Sequence, residues 1–460
     1  MSRIVVVSNR VADPNKPAAG GLAVAVRECL RRTGGLWFGW SGRIVERTRT
    51  DTGHAHASIQ ASGKIQLATV DLDRQQYETY YGGYSNNVLW PVFHYRLDLA
   101  QFDEGFAAGY RQVNQLFAQQ LFRLLKPDDV IWVHDYHLIP IAAELRALGC
   151  ENRIGFFLHI PVPPPLIIAA IPEHEWLMRS LFCYDLVGVQ AKSDLTHLVR
   201  YMETEARAER PGDGILRAFG RELRVGAFPI GIDVDEFAAL ADARDSKDMY
   251  ATMRDEYSRR ELIVGVDRLD YSKGLPQRVR AFRALLDRYP ENRSRATLIQ
   301  IAAPSREDVN AYDELRQEMD SLCGAINGDY GELDWMPIRY IRRSVARRRL
   351  PGLYRASRVA MVTPLRDGMN LVAKEFLAAQ DPGDPGVLVL SRFAGAAEQL
   401  TEALHVNPYD IQGIAQAMQR ALTMPLDERV SRHAALMDSI RRYDVHWWRA
   451  TFLDELQRTA

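Results

Sequence analysis

The sequence predicts an α/β protein made of two Rossmann-like doubly wound parallel-sheet domains facing each other. Three observations lead there. Short apolar, β-branched runs recur along the chain, and longer segments of helical period lie between many of them. A length of 460 residues is too great for one ordinary core. Strand and helix alternating in this way give parallel sheets with helices on both faces.

Residues 4–8 begin with four β-branched side chains, and the run ends in Ser8, Asn9 and Arg10. Gly20 and Gly21 mark a turn or a helix start. Tyr81 and Trp90 stand in the aromatic, loop-like stretch "YYGGYSNNVLWPVFHY". Residues 109–125 have helical period. The strand-like runs 130–133, 154–159, 185–190 and 224–230 complete the first series. After "FPIGIDVDEF" a second series begins with "ELIVGVDRLD", so the boundary is placed near Glu236, with domains 1–236 and 237–440. The second series comprises 262–266, 297–302, 359–363 and 387–391, with a helix over 275–288 after the first of these runs. Residues 441–460 form a helix rich in bulky aromatics, expected to pack back on the first domain.

Composition narrows the function. Lys and Arg number 58 against 59 Asp and Glu, a net charge of -1, which leaves no global field for nucleic acid or an anionic membrane. Cys29, Cys150, Cys183 and Cys323 contain no C-x-x-C pair, so neither a zinc cage nor a disulfide framework is suggested. "MSRIVVVSNR" lacks the features of a signal peptide, and "GFFLHIPVPPPLIIAAIP" is interrupted by His159 and several prolines. A soluble cytoplasmic protein is expected.

Ligands of open parallel sheets bind beyond the carboxyl ends of strands. In the second domain that places Arg268 and Lys273 after one strand, and Arg366, Asp367 and Gly368 after another, with Glu375 about two turns into the next helix. A sugar nucleotide needs cations and N–H donors for its diphosphate, a carboxylate for its ribose and another for its sugar hydroxyls. Arg268, Lys273 and the helix start supply the first, Glu375 the second and Asp367 the third. In the first domain Arg10 lies just beyond the first strand, while His134, Asp135 and His137 come after "VIWV". A hydroxyl-binding role for Asp135 is favoured over a metal site, because no further ligand stands at fixed spacing. His159, ending "GFFLH", is read either as a buried, satisfied histidine or as a site residue. Asp-x-Asp occurs at Asp71/Asp73 and Asp233/Asp235 and is read as accidental, so no metal and no cofactor are expected. The arginine-rich "RYIRRSVARRRL" is read as a half-buried helix face rather than a nucleic-acid site.

"RLDYSKG" and Asp367-x7-Glu375 resemble the hallmarks of retaining nucleotide-sugar glycosyltransferases. With "VVSNR", "GGLWFGWSG", "LWPVFHYR", "WVHDYHL", "GFFLHIP", "TPLRDGMNLVAKE" and "VNPYD", the chain resembles the trehalose-6-phosphate synthases over nearly its whole length. The resemblance implies transfer of glucose from UDP-glucose, a co-substrate, to glucose 6-phosphate. It implies that Arg10, Tyr81 and Arg306 hold the acceptor phosphate, that Asp135 binds acceptor hydroxyls and that Trp90 helps to choose the α-anomer. Gly20, Gly21, Arg268, Lys273 and the run Leu371, Val372, Ala373, Lys374 and Glu375 match donor contacts, and His159 and Asp367 match residues at the transferred glucose. A homo-oligomer, dimer or tetramer, is expected.

Two departures bear on the shape of one loop and on the choice of nucleotide. Val162 and Leu166 stand where relatives commonly carry Phe and Glu, and Val345 stands where an aromatic is expected near the donor base. Competing readings are a transferase with a GDP-linked donor or a cyclitol acceptor, and a catalytically silent sugar-phosphate sensor. No phosphatase domain is expected beyond the second domain.

Overall fold

The computed structural model describes residues 2–12, 26, 30, 34–46, 57–305 and 310–459. Gly20, Gly21, Cys29 and Arg306 lie outside them. The chain divides into two compact units, residues 1–229 with 448–460, and residues 230–447. The divisions fall at 229/230 and 447/448.

In the first unit the strands are β1 (Ile4–Arg10), β2 (Gly35–Val45), β3 (Ser58–Ser62), β4 (Ile65–Asp73), β5 (Val130–His134), β6 (Arg153–Phe157), β7 (Leu186–Val189), β8 (Glu209–Gly212), β9 (Ile215–Ala218) and β10 (Arg221–Ala227). Their order among the described residues is β3-β4-β2-β1-β5-β6-β7-β10-β9-β8. The body from β4 to β10 is parallel, and β3, β9 and β8 join antiparallel at the edges. Val5, Val6 and Val7 and all of β5 are buried, as a central strand covered on both faces requires.

The second unit holds β11 (Glu261–Arg268), β12 (Ala296–Ala303), β13 (Ile338–Ile341), β14 (Val359–Val362), β15 (Val387–Ser391) and β16 (Leu404–Val406). All pair in parallel, in the order β13-β12-β11-β14-β15-β16. This is the 3-2-1-4-5-6 order of a dinucleotide-binding fold, and β4-β2-β1-β5-β6-β7 repeats it in the first unit. Strand order reverses between β1 and β5 in one and between β11 and β14 in the other. Each reversal opens a crevice at the strands' carboxyl ends.

Three expectations are corrected. The stretch containing Tyr81 and Trp90 is helical from Arg74 to Phe93, with a π-helical run Tyr77–Leu89, rather than a loop. Asp73 and Gln76 form a capping box at its start. Residues 342–349 of the arginine run form a loop between β13 and the helix Leu350–Ala356, not a helix face. Pro351 explains this, since its ring would clash with the carbonyl of Arg347 in any helix continuing through it. Arg342, Arg347 and Arg348 instead pair with Asp320, Glu236 and Asp245 at 3.1, 2.7 and 2.7 Å. Finally, β6 stops at Phe157, so His159 lies two residues beyond its strand.

The helix Val445–Arg458 brings Trp448 and Phe452 against the first unit's sheet, where Phe452 stacks 5.0 Å from Trp132. Gly155 and Gly188 make room: a Cβ on either would stand within 3 Å of the Phe452 ring. Among the described residues no helix is long and apolar enough to cross a membrane.

Candidate active site

At the β1/β5 crevice Arg10 ends β1 in register with Trp40 of β2, its guanidinium 5.7 Å from that ring. The helical run places Tyr77 and Tyr81 stacked at 5.4 Å, and Tyr81 lies parallel to His137 at 5.8 Å. Trp40 stands within 6 Å of both tyrosines. An exposed cation thus borders a group of aromatic rings. The sequence alone singles out neither Trp40 nor Tyr77, although the four-residue spacing of Tyr77 and Tyr81 is a signal once the segment is taken as helical.

Asp135 adopts φ 76°, a conformation uncommon for a side chain other than glycine. Its main-chain N–H donates to Phe157 O at 2.8 Å, and its Oδ1 accepts from His159 N at 3.3 Å. The carboxylate is thereby held at the end of β5. Behind it His134, fully buried, lies 3.1 Å from His159, Nδ1 to Nε2, and Gln190 Nε2 lies 3.4 Å from the other ring nitrogen of His159. Burial pushes both imidazoles down, His159 to about 3. Both are neutral near pH 7. Trp90 is 4% exposed and packs on His94 and Tyr136.

The loop after His159 is firmly held despite its Val162. That residue's N–H donates to buried Asp194 at 2.9 Å, and its carbonyl faces His197 Nδ1 at 2.8 Å and accepts from Tyr95 at 3.3 Å. Leu166, by contrast, is 85% exposed.

At the β11/β14 crevice Arg268 is exposed at the last position of β11. Lys273 is nearly buried and donates to Asp367 Oδ2 at 2.6 Å, and Asn370 Nδ2 donates to the same oxygen at 3.1 Å. The two loops are fastened to each other, with Leu365 N donating to Ser272 O at 2.7 Å. Beneath them the buried Arg278 binds Asp267 at 2.5 Å, Gln300 at 2.9 Å and Thr363 at 3.1 Å. Asn370, at φ 81°, caps the helix Leu371–Ala379 by accepting from Ala373 N at 3.3 Å. Asp367 thus ties Lys273 to the capping residue of that helix.

Glu375 is half-buried, and the protein around it pushes its carboxyl up to about 7; Arg347 opposes this and Glu236 adds to it. Lys374 turns inward and is wholly buried. Val345 is half-buried in the arginine loop. The Asp-x-Asp pairs have structural work: Asp71 pairs with Arg43, Asp73 caps a helix, and Asp233 caps another while meeting His446 at 3.1 Å. Among the described residues no group of three or more His, Cys, Asp or Glu could hold a metal ion.

Comparison with known proteins places these two Rossmann-type units among the glycosyltransferases. The sequence profile of glycosyltransferase family 20 matches residues 6–458, and the chain belongs to that family. It is similar to a trehalose-6-phosphate synthase of Sinorhizobium fredii, 50% identical over 464 residues that span 100% of this chain and 99% of the relative. A crystal structure of a UDP-forming α,α-trehalose-phosphate synthase from Burkholderia xenovorans, in complex with glucose 6-phosphate, matches with TM-score 0.95 and 50% identity over 99% of this chain and 100% of the other. An E. coli structure bound with UDP-2-fluoro glucose matches with TM-score 0.95 and 46% identity over the whole of both chains.

Proposed function

We propose that the chain transfers glucose, with retention, from UDP-glucose to glucose 6-phosphate, giving α,α-trehalose 6-phosphate and UDP. The observation that carries this reading is the pairing of charged groups at both strand-order reversals: Arg10 and Asp135 in one unit, and Arg268, Lys273, Asp367 and Glu375 in the other. The acceptor belongs to the first unit and the donor to the second. Arg10 and Tyr81, with Arg306, hold the acceptor phosphate; Asp135 takes its hydroxyls and Trp90 walls the site.

On the donor side Arg268, Lys273 and the helix start hold the diphosphate, with Gly20 and Gly21 as further contacts. Glu375 accepts from the ribose, and His159 and Asp367 meet the transferred glucose. As the bond from the anomeric carbon to the diphosphate breaks, its electron pair goes to the departing oxygen, where Arg268 and Lys273 stabilise the charge. The acceptor hydroxyl attacks from the same side, and its proton passes to that oxygen. No pair of enzymic carboxylates is required. The neutral His159 orients a hydroxyl without acting as an acid. The cations do the work that a divalent ion does elsewhere, and the enzyme acts in the cytoplasm without a cofactor.

The test is nucleotide release from UDP-glucose and from GDP-glucose, with glucose 6-phosphate, in EDTA, and then identification of the product. UDP release with a non-reducing disaccharide phosphate is expected. Loss of turnover in EDTA restored by Mg²⁺ would overturn the metal-free mechanism, and a preference for GDP-glucose would point to Val345.

A further inference from the structure

A buried lysine ammonium usually sits against a carboxylate. Lys374 does not. Its Nζ donates to two neutral oxygens, the main-chain carbonyl of Ile230 at 2.8 Å and the side-chain Oε1 of Gln399 at 2.7 Å. Ile230 is the first residue of the second unit, at the point where the chain leaves the first. Gln399 closes the turn whose Gly395 and Ala396 N–H groups hold the carbonyls of Asp367 and Met369 at 3.1 and 2.9 Å.

The connection continues to the other crossing. Gln399 O accepts from Ser439 Oγ at 2.9 Å, on the helix Leu426–Arg442 that precedes the return to the first unit. There the chain lies directly on the outgoing segment. A Cβ on Gly231 would stand 2.3 Å from Tyr443 O, Val445 N donates to Ile232 O at 3.1 Å, and His446 meets Asp233.

We infer that Lys374 is a positioning residue for glucosyl transfer: through Ile230 and Gln399 it holds the loop and helix carrying Asp367 and Glu375 in register with both segments by which the chain enters and leaves the second unit. The inference rests on the proposed assignment of that loop to the donor. Lysine suits the task by reach and by donor number. Burial pushes its amine down to about 7, yet a neutral amine keeps two N–H groups for the two acceptors, so the tie survives loss of the proton. Methionine would fill the space and leave both oxygens without their donor.

The test compares Lys374→Met, Gln399→Leu and Gln399→Glu with the wild-type chain by steady-state kinetics and by hydrogen exchange. Lys374→Met is expected to lower kcat by about ten- to a hundredfold, the scale of a misplaced reacting group, with KM for glucose 6-phosphate unchanged. Backbone protection should fall in residues 230–233 and 395–399 together. Gln399→Leu should show the same split more weakly, and Gln399→Glu, which keeps an acceptor oxygen, should approach wild type. Kinetics and protection within twofold of wild type in both Lys374→Met and Gln399→Leu would overturn the inference, as would equal losses in Gln399→Leu and Gln399→Glu. Should Lys374→Met fail to fold, the two Gln399 variants decide alone. A wild-type chain that releases no UDP would instead overturn the functional reading, and hydrogen exchange would still judge the tie.

Discussion

Arg268 and Lys273 are five residues apart and differ in surroundings, so their loss should differ in kind. Arg268 is exposed, whereas Lys273 is nearly buried against Asp367. Either alanine variant should lower kcat by on the order of 10²–10³ if both stabilise the leaving diphosphate. Lys273→Ala should also lower the thermal unfolding midpoint, because it removes the 2.6 Å bond from a nearly buried ammonium to Asp367. An unchanged midpoint in Lys273→Ala would mean that the Lys273–Asp367 pair contributes nothing to the fold. Glu375 gives a pH prediction. With its carboxyl at about 7, the free protein holds a proton there below pH 7, and a ribose that needs the carboxylate must expel it. UDP affinity should therefore weaken as pH falls through 7, by at most about tenfold per unit. Glu375→Gln should remove this dependence in titration calorimetry at pH 6 and 8. The neighbouring groups Arg347, Glu236 and Lys374 are unchanged in that variant. Affinity that is already equal at the two pH values in the wild-type chain would take Glu375 away from the ribose.

At the scale of elements, burial decides what the sequence reveals. The strands β1, β5, β11, β14 and β15 are legible because a strand covered on both faces is a continuous apolar run. Their ends matter more than their middles, since Arg10, Asp135, Arg268 and Asp367 each stand at or just past the close of such a run. β2 is hidden because "GLWFGWSGRIV" mixes three glycines with two tryptophans, and its partners β1 and β4 supply the order that its own composition lacks. The π-helical run is hidden because a Gly-Gly pair and two asparagines break the 3.6-residue period, and contact with the neighbouring helix Glu104–Phe122 overrides local preference. The inward turn of Lys374 is invisible in "LVAKE", since the face that a helix residue occupies depends on what the helix packs against. The aromatic C-terminal helix carries a prediction of its own. Phe452 is fully buried over Gly155 and Gly188, so Phe452→Ala should cost about 3–5 kcal/mol in denaturant unfolding. A loss under about 1 kcal/mol would mean the sheet collapses into the vacated space without penalty.

For the whole molecule, the groups that burial has shifted divide unequally between the two units, and acid should act on them differently. In the first unit His134 and His159 are held neutral by burial. Below pH 6.5 an unfolded chain takes up protons at these rings that the folded chain refuses, so folding weakens as pH falls, by about 1.4 kcal/mol per unit for each such group. Among the described residues of the second unit burial lowers only one histidine, His433, and Glu375 has the opposite sign, as Glu144 does more weakly in the first. The folded carboxyl of Glu375 keeps a proton between about 4.5 and 7 that the unfolded chain has released, which favours the folded form as pH falls through that window. Lys374 acts elsewhere: its depressed amine makes stability rise between about 7 and 10.5, and below 7 it is protonated in both states. Moving from pH 7.5 to pH 5 should thus weaken the first unit more than the second. Hydrogen exchange on heating should show protection in β5 and β6 lost before that in β11 and β14 at pH 5, with the gap narrowing at pH 7.5. His134→Gln, which cannot titrate, should reduce the acid slope of the first unit by one proton even if it lowers stability at every pH. A slope that His134→Gln leaves unchanged would place the acid sensitivity in other groups, and loss of both units' protection together at pH 5 would show that they unfold as one.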